Sequence, residues 1–257
     1  MVRKMRLDDK AKTGDEQVTL IEVILDESGS MDGIVSDTLG GLNGYIRKQK
    51  EQVDGGLARF SLTTFSAVGE EFVRTIVDNM PIDQVKPITG ENYNPYGGTP
   101  LLDAVGQRIT EVETLLNSYK VRPEVLFAVI TDGLENQSKK YTKDDIQKMI
   151  SGREGKGWTF VFMGANQDAW GESQQYGYVA GNTVGWEASA GGVAVAYDTL
   201  SSSTRAFRSA GSVGTQTFFE EPDTTPNPET ESPIAFTKKK TTRPSSKRRS
   251  KDITSKK

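Results

Sequence analysis

Residues that could bind a cation directly follow an apolar stretch near the start of the chain. The run from Leu20 to Leu25 is largely apolar, and Asp26-Glu27-Ser28-Gly29-Ser30 comes next. A strand that ends in Asp-x-Ser-x-Ser brings one carboxylate and two hydroxyls onto a single tight turn. Hard cations such as Mg²⁺ prefer oxygen ligands of this kind, at about 2.0–2.1 Å in octahedral geometry. Serines in this position are equally typical of helix caps, so the segment by itself leaves both interpretations open.

The composition narrows the chemistry that any such site could perform. The 257 residues include neither cysteine nor histidine, which excludes disulfides, thiolate ligands, Ser-His-Asp catalysis and most zinc sites. A metal must therefore be held by oxygen, which favours Mg²⁺, with Ca²⁺ and Mn²⁺ as alternatives. No run approaches the roughly 20 apolar residues of a membrane helix, and residues 1–17 lack the apolar core of a secretory signal. We therefore expect a cytoplasmic protein without membrane contacts.

Two further polar segments are expected at the same edge of a sheet. Gly97-Gly98-Thr99-Pro100 precedes a helical pattern, and Thr131-Asp132-Gly133 follows the fully apolar run from Val125 to Ile130. In open α/β sheets, ligands bind beyond the carboxyl ends of the strands, where the strand order reverses. A helix cap or a strand-ending turn explains each segment taken alone. The three segments together, in this order, indicate one site.

Hydrophobic periodicity predicts the elements that would position these segments. Strands are expected over residues 17–25, 57–65, 71–77, 125–130 and 158–163, the second and third forming an antiparallel hairpin, with a short edge strand within 177–187. Helices are expected over 33–53, from an N-cap at Thr99 with Pro100 in the first turn, and over 141–152, 168–176 and 189–207. This order predicts an α/β fold: a doubly wound, mostly parallel sheet with one antiparallel edge strand and helices on both faces.

The first predicted helix carries an apolar stripe and three glycines. We expect its buried face to comprise Val35, Leu39, Leu42, Ile46 and Val53. Gly40, Gly41 and Gly44 weaken a helix intrinsically. We therefore expect them to allow close approach of the helix to the sheet.

Composition also divides the chain into three parts. Residues 1–16 are expected to form a flexible arm, residues 17–210 the folded domain, and residues 211–257 a disordered acidic, proline-containing linker followed by a basic tail. Residues 238–257 contain ten basic residues and one acidic residue, a net charge of +9, which leaves −12 on residues 1–237. One functional hypothesis is therefore a nucleic-acid-associated protein that uses residues 238–257. The alternative is a solvated tail, or one that folds back on the acidic body.

The three polar segments resemble the metal-ion-dependent adhesion site of von Willebrand factor type A domains, in which Asp-x-Ser-x-Ser is followed by a Thr and then an Asp. The resemblance covers roughly residues 17–210. Residues 162–169 and the closing helix are similar to those of small bacterial and phage members. The resemblance implies that hydroxyls and carboxylates of five residues bind the metal: Asp26, Ser28, Ser30, Thr99 and Asp132.

The resemblance also implies a function in binding rather than catalysis. Neutral hydroxyl ligands leave Mg²⁺ electron-poor, so its open position can accept an Asp or Glu carboxylate from a partner protein. We therefore expect a Mg²⁺-dependent protein-binding module, an intracellular adaptor or assembly factor and not an enzyme. Members of the family often work with AAA-type ATPases of the MoxR kind, which makes such an ATPase a candidate partner.

A metal-assisted hydrolase is the third hypothesis. Glu27 or Glu135 would then serve as the base beside the metal. These two residues and Asp32 lie close to the motif in the sequence. If they surround the site, they would attract cations and repel an acidic partner.

Overall fold

The structure, a computed structural model, describes residues 18–68, 72–165, 169–210 and 215–219. The predicted arm at 1–16, most of the predicted linker and the basic tail at 238–257 lie outside these residues. The strands are β1 (Val18–Asp26), β2 (Leu57–Phe65), β3 (Val73–Pro81), β4 (Glu124–Thr131), β5 (Trp158–Gly164) and β6 (Thr183–Gly185). The helices are α1 (Val35–Lys50), α2 (Leu101–Leu116), α3 (Lys143–Glu154), α4 (Ala169–Gln175) and α5 (Ala190–Ala210).

The six strands form one sheet in the order β3-β2-β1-β4-β5-β6. Only β3 is antiparallel to its neighbour, and the remaining pairs are parallel. The predicted doubly wound, mostly parallel sheet with one antiparallel edge strand is therefore confirmed. The chain leaves β1 towards β2 and later returns to the opposite side of β1 as β4. The strand order thus reverses between β1 and β4, and a crevice is expected at their carboxyl ends.

Helices cover both faces of the sheet, and each face has its own apolar core. Alternate residues of β1 point to opposite faces, so Ile21 and Val23 pack with α1 and α5, whereas Leu20 and Ile24 pack with α2 and α3. Within the described residues, no helix is both long and apolar enough to cross a membrane.

The first helix differs from its prediction in three respects. Residues Gly29–Ile34 form a 3₁₀ helix, and α1 starts only at Val35 and ends at Lys50. Val53 therefore lies beyond the helix and is 98% exposed, so its predicted burial is wrong. Gly41 approaches α5 and not the sheet, because a Cβ there would meet the ring of Tyr197 at 2.3 Å. No heavy atom lies within 4 Å of a Cβ on Gly40 or Gly44, so close packing does not explain either glycine.

Other predicted boundaries shift by a few residues. Strand β3 begins at Val73 and runs on to Pro81, four residues beyond the predicted end at 77. Helix α2 starts at Leu101, and neither Thr99 nor Pro100 caps it with a side chain, so the predicted Thr99 cap is wrong. The apolar residues of α2 from Leu101 to Leu116 include a buried stripe, as do those of α5 from Val193 to Phe207. Residues 215–219 also pack on the domain, since Phe218 is buried against Phe207 with ring centroids 6.1 Å apart.

A buried ion pair crosses from the sheet to α2. Glu22, in the middle of β1, is 1% exposed and accepts hydrogen bonds from Nε and Nη2 of Arg108 at 3.0 and 2.8 Å. Ser61 donates a further bond to Glu22 at 3.1 Å. Burial raises the pKa of Glu22, and the adjacent guanidinium opposes that shift. The sequence pattern of β1 does not predict this ion pair, because Glu22 and Arg108 are 86 residues apart in the chain.

We predict that Arg108→Met lowers the free energy of unfolding by about 3–5 kcal/mol in urea denaturation, because it leaves a buried carboxylate without its partner. The double variant Glu22→Leu/Arg108→Met should recover most of this loss. Lys48→Met is the matched control: it breaks the exposed pair with Asp198 and should cost at most about 1 kcal/mol. Equal losses for the two single variants would contradict a structural role of the buried pair.

Candidate functional site

The site begins where β1 ends. Asp26 is fully buried, and its two carboxylate oxygens accept different hydrogen bonds. Oδ1 accepts the backbone N–H of Ser28 at 2.7 Å, and Oδ2 accepts the hydroxyl of Thr131 at 2.5 Å. The backbone carbonyl of Asp26 accepts the Tyr93 hydroxyl at 2.7 Å. The carboxylate is therefore held in one orientation, between the ends of β1 and β4.

The two serines and Asp132 form the next part of the site. The hydroxyls of Ser28 and Ser30 are 3.1 Å apart, and Ser30 donates a hydrogen bond to Asp132 Oδ1 at 2.6 Å. Two neighbouring ligand oxygens of an octahedral Mg²⁺ are about 3.0 Å apart. The spacing of the two serine hydroxyls is therefore compatible with ligands on one cation.

Gly133 leaves a small hollow between the oxygen atoms. A methyl carbon added to Gly133 would lie 3.1 Å from Thr99 Oγ1, 3.4 Å from Ser30 Oγ and 3.7 Å from Asp26 Oδ2. Oxygens from three separate segments thus face a position that any other side chain would fill. The structure brings together all five predicted site residues, and this donor set suits a hard cation.

Hydrogen bonds from the loop after β4 position Thr99. Asn136 accepts the Thr99 N–H through Oδ1 at 2.9 Å, and its own N–H donates to the Thr99 carbonyl at 3.1 Å. The side-chain hydroxyl of Thr99 is thereby left to face the hollow and not the helix end. Thr99 does not cap α2 because other side chains accept the first N–H groups of that helix.

Glu135 and Ser138 cap α2 in place of Thr99. One Glu135 oxygen accepts the N–H of Leu102 at 3.0 Å, and Ser138 Oγ accepts the N–H of Asp103 at 3.0 Å. In return, the Asp103 carboxylate accepts backbone N–H groups of residues 139, 140 and 141 at 2.8–2.9 Å. The start of α2 and the loop after β4 are therefore joined as one unit.

Glu27 is also a structural residue. Its carboxylate accepts Arg74 Nη2 at 2.6 and 2.8 Å and the backbone N–H of Asn94 at 2.6 Å. Its side chain is 7% exposed. The carboxylates of Glu27 and Glu135 are thus engaged by neighbouring backbone groups, whereas Asp32 is exposed.

The two carboxylates of the site lie in a poorly solvated environment. Burial raises the pKa of Asp26 to about 6, and the hydrogen bonds from Thr131 and Ser28 partly oppose this shift. Burial likewise raises the pKa of Asp132, against the bond from Ser30. A cation in the hollow would favour the ionised form of both groups. The described parts of the chain contain no group of three or more carboxylates that could hold a metal ion, so hydroxyls are essential to the donor set.

Sequence reasoning missed Thr131, Asn136 and Glu135 as supports of the site. Thr131 lies in the quoted Thr131-Asp132-Gly133 segment, so its position could have indicated a role. The other two act across the boundary between a loop and a helix, and their spacing in the sequence contains no such information.

We predict that Glu135→Ala lowers the free energy of unfolding by about 1–2 kcal/mol, because the first turn of α2 loses its anionic cap. Glu135→Gln retains an acceptor and should have a smaller effect. Glu91→Ala, at an exposed glutamate, is the control and should leave stability nearly unchanged in chemical denaturation. A Glu135→Ala variant as stable as the control would refute the capping role.

We compared the sequence and the structure of this chain with those of known proteins. No family model and no curated protein matches the sequence. The pilus adhesin SpaC from Lactobacillus rhamnosus GG, in its open conformation, is 11% identical with a TM-score of 0.57, over 75% of this chain and 30% of SpaC. Proximal thread matrix protein 1 from the mussel byssus, with a zinc-occupied MIDAS motif, is 14% identical with a TM-score of 0.50, over 71% of this chain and 46% of that one.

A von Willebrand factor type A structure from Catenulispora acidiphila matches 76% of this chain and 42% of its own at 15% identity, with a TM-score of 0.44. This chain thus corresponds to less than half the length of each of these proteins. The chain shares its fold with SpaC and with proximal thread matrix protein 1.

Proposed function

We propose that the chain is a protein-binding module that depends on a divalent cation and accepts an Asp or Glu carboxylate from its partner. The proposed cation is Mg²⁺, with Ca²⁺ and Mn²⁺ as alternatives that also bind oxygen. Its proposed ligands, direct or through water, are Asp26, Ser28, Ser30, Thr99 and Asp132. When bound, the cation supplies a Lewis-acidic position that is open to a carboxylate oxygen.

The hollow beside Gly133 is the observation that carries this proposal. Thr99 Oγ1, Ser30 Oγ and Asp26 Oδ2 surround a position of atomic size that has no side chain of its own. Ser30 is exposed, so the hollow lies beside solvent, from which an external ligand could approach. Asp26 and Asp132 supply the negative charge, and the three hydroxyls supply neutral oxygens that withdraw little of the cation's charge.

The bonds of Glu27 and Glu135 favour binding over hydrolysis. A general base must be within reach of the proton that it abstracts. Glu27 accepts bonds from Arg74 and Asn94, and Glu135 accepts bonds from Leu102 and Ser138. Neither of the bases considered for a metal-assisted hydrolase is therefore available beside the hollow, and a binding function is the better interpretation.

Several finer points stay predictions. An adaptor or assembly role, a MoxR-type AAA ATPase as partner, a bacterial or phage origin and a cytoplasmic location derive from the sequence and its resemblance. Nucleic-acid binding through residues 238–257 concerns residues outside those described. Deleting residues 238–257 and measuring nucleic-acid retention across a salt series would test that hypothesis.

We predict that Mg²⁺ at about 100 times its Kd raises the stability of the native chain by about 2.7 kcal/mol over EDTA, or roughly 5–10 °C in Tm. Ser30→Ala removes an exposed ligand hydroxyl and should reduce this shift strongly. Ser36→Ala, at an exposed serine of α1, is the matched control and should behave like the native chain. Equal melting temperatures with Mg²⁺ and EDTA for the native chain would refute the cation site.

We predict that Gly133→Ala weakens Mn²⁺ binding by about ten-fold or more, which corresponds to about 1.4 kcal/mol, because its methyl group enters the hollow. Electron paramagnetic resonance of free Mn²⁺ measures this affinity directly. Gly40→Ala is the control, since no heavy atom lies within 4 Å of the added Cβ. A folded Gly133→Ala variant with native affinity would place the cation somewhere other than this hollow.

A further inference from the structure

Exposed apolar side chains lie on the loops that form the site. Across the described residues, seven large apolar side chains are well exposed, and three of them lie on these loops or on the β2–β3 connection that packs against them. They are Val68, Tyr96 and Leu134, which are 46%, 69% and 51% exposed. Exposed apolar groups around a polar centre are characteristic of interaction sites. We call these three residues the apolar rim.

Backbone contacts place the apolar rim around the hollow. The Tyr96 N–H donates to the carbonyl of Glu27 at 2.9 Å, which holds Tyr96 against the Asp26–Ser30 turn. Val68 packs against Gly97, since a Cβ on Gly97 would be 3.0 Å from Val68 Cγ2. Leu134 directly follows Gly133, whose missing side chain leaves the hollow. Tyr96 and Leu134 thus adjoin segments that form the hollow, and Val68 contacts Gly97, which leads into Thr99.

The rim is fixed in place before any partner binds. Gly97 has a φ of 81°, and a Cβ there would lie 2.6 Å from the Ala67 carbonyl oxygen, so only glycine allows these loops to meet. Ala67 N–H donates to the Gly98 carbonyl at 2.9 Å. A rim fixed in this way loses little conformational entropy when a partner covers it.

Positive charge lies close to the same loops. Lys139 and Lys140 are exposed on the loop after β4, and Lys139 Nζ lies 5.5 Å from the ring centroid of Phe72, at the far end of the β2–β3 connection that carries Val68. Asp32 is an exposed acid near the site turn. The two lysines favour the approach of an acidic segment through the longer-range field.

We infer that the partner presents a segment in which one Asp or Glu has aliphatic or aromatic residues within two positions on either side. The acidic residue binds at the cation, and its apolar neighbours contact Val68, Tyr96 and Leu134. This inference rests on the proposed function, because the carboxylate must first be anchored at the cation. It adds a specificity that the cation alone does not supply, since a bare cation accepts any exposed carboxylate.

Selection from a displayed library of random seven-residue peptides tests the inference. The full chain is the bait in Mg²⁺, and bound peptides are released with EDTA. The expected peptides contain one Asp or Glu with apolar residues within two positions. Tyr96→Ser/Leu134→Ser should retain the acidic residue and lose the apolar preference. Val121→Ser/Val195→Ser, at exposed apolar residues outside the site loops, is the matched control and should select the same peptides as the native chain.

The outcomes separate the two proposals. Absence of an enriched acidic residue would overturn the proposed function and the inference together. Acidic peptides with polar neighbours would overturn the inference alone, as would an apolar preference that persists in Tyr96→Ser/Leu134→Ser. As a quantitative check, serines in place of the apolar neighbours should weaken a selected peptide by about ten-fold or more in fluorescence anisotropy, with no such loss of affinity for the Tyr96→Ser/Leu134→Ser variant.

Discussion

The burial of the Asp26 carboxylate is the constraint on which the rest of the site depends. A charged group without solvent must have partners, and Asp26 obtains them from two places: the N–H of Ser28 and the hydroxyl of Thr131. Satisfying Asp26 therefore joins the end of β1 to the end of β4. The reversal of strand order at that position provides the space, and Gly133 keeps part of it open.

The acidic residues near the site divide into two groups with different physical roles. Asp26 lies beside the hollow, Asp132 accepts a hydrogen bond from Ser30, and burial raises the pKa of both carboxylates. Glu27, Glu135 and Asp103 accept backbone N–H groups of other segments, so each holds a loop to a neighbouring loop or helix. These hydrogen bonds hold the segments around the site together.

Local pattern was sufficient for the sheet, the helices on its faces and the three segments that meet at the site. These depend on hydrophobic periodicity and on the rule for carboxyl strand ends. The sequence pattern gave wrong or incomplete predictions where a contact between residues distant in the chain determines the role of a side chain. The sequence places Thr99 where a helix cap is typical. In the structure, Asn136 accepts the Thr99 N–H, and Glu135 caps the helix instead. Similarly, Glu22 is an isolated acid within an apolar run of the sequence, and only the structure shows that Arg108 of α2 donates hydrogen bonds to it.

The position of β1 has a mechanical consequence. Its pairing with β2 spans Val18–Asp26, and its pairing with β4 spans Thr19–Leu25, in parallel on both sides. A partner that pulls on Asp26 along the strand would load both ladders in shear, so many hydrogen bonds would share the force instead of opening one after another. The site is therefore attached to a strand that is paired along nearly its whole length on both sides.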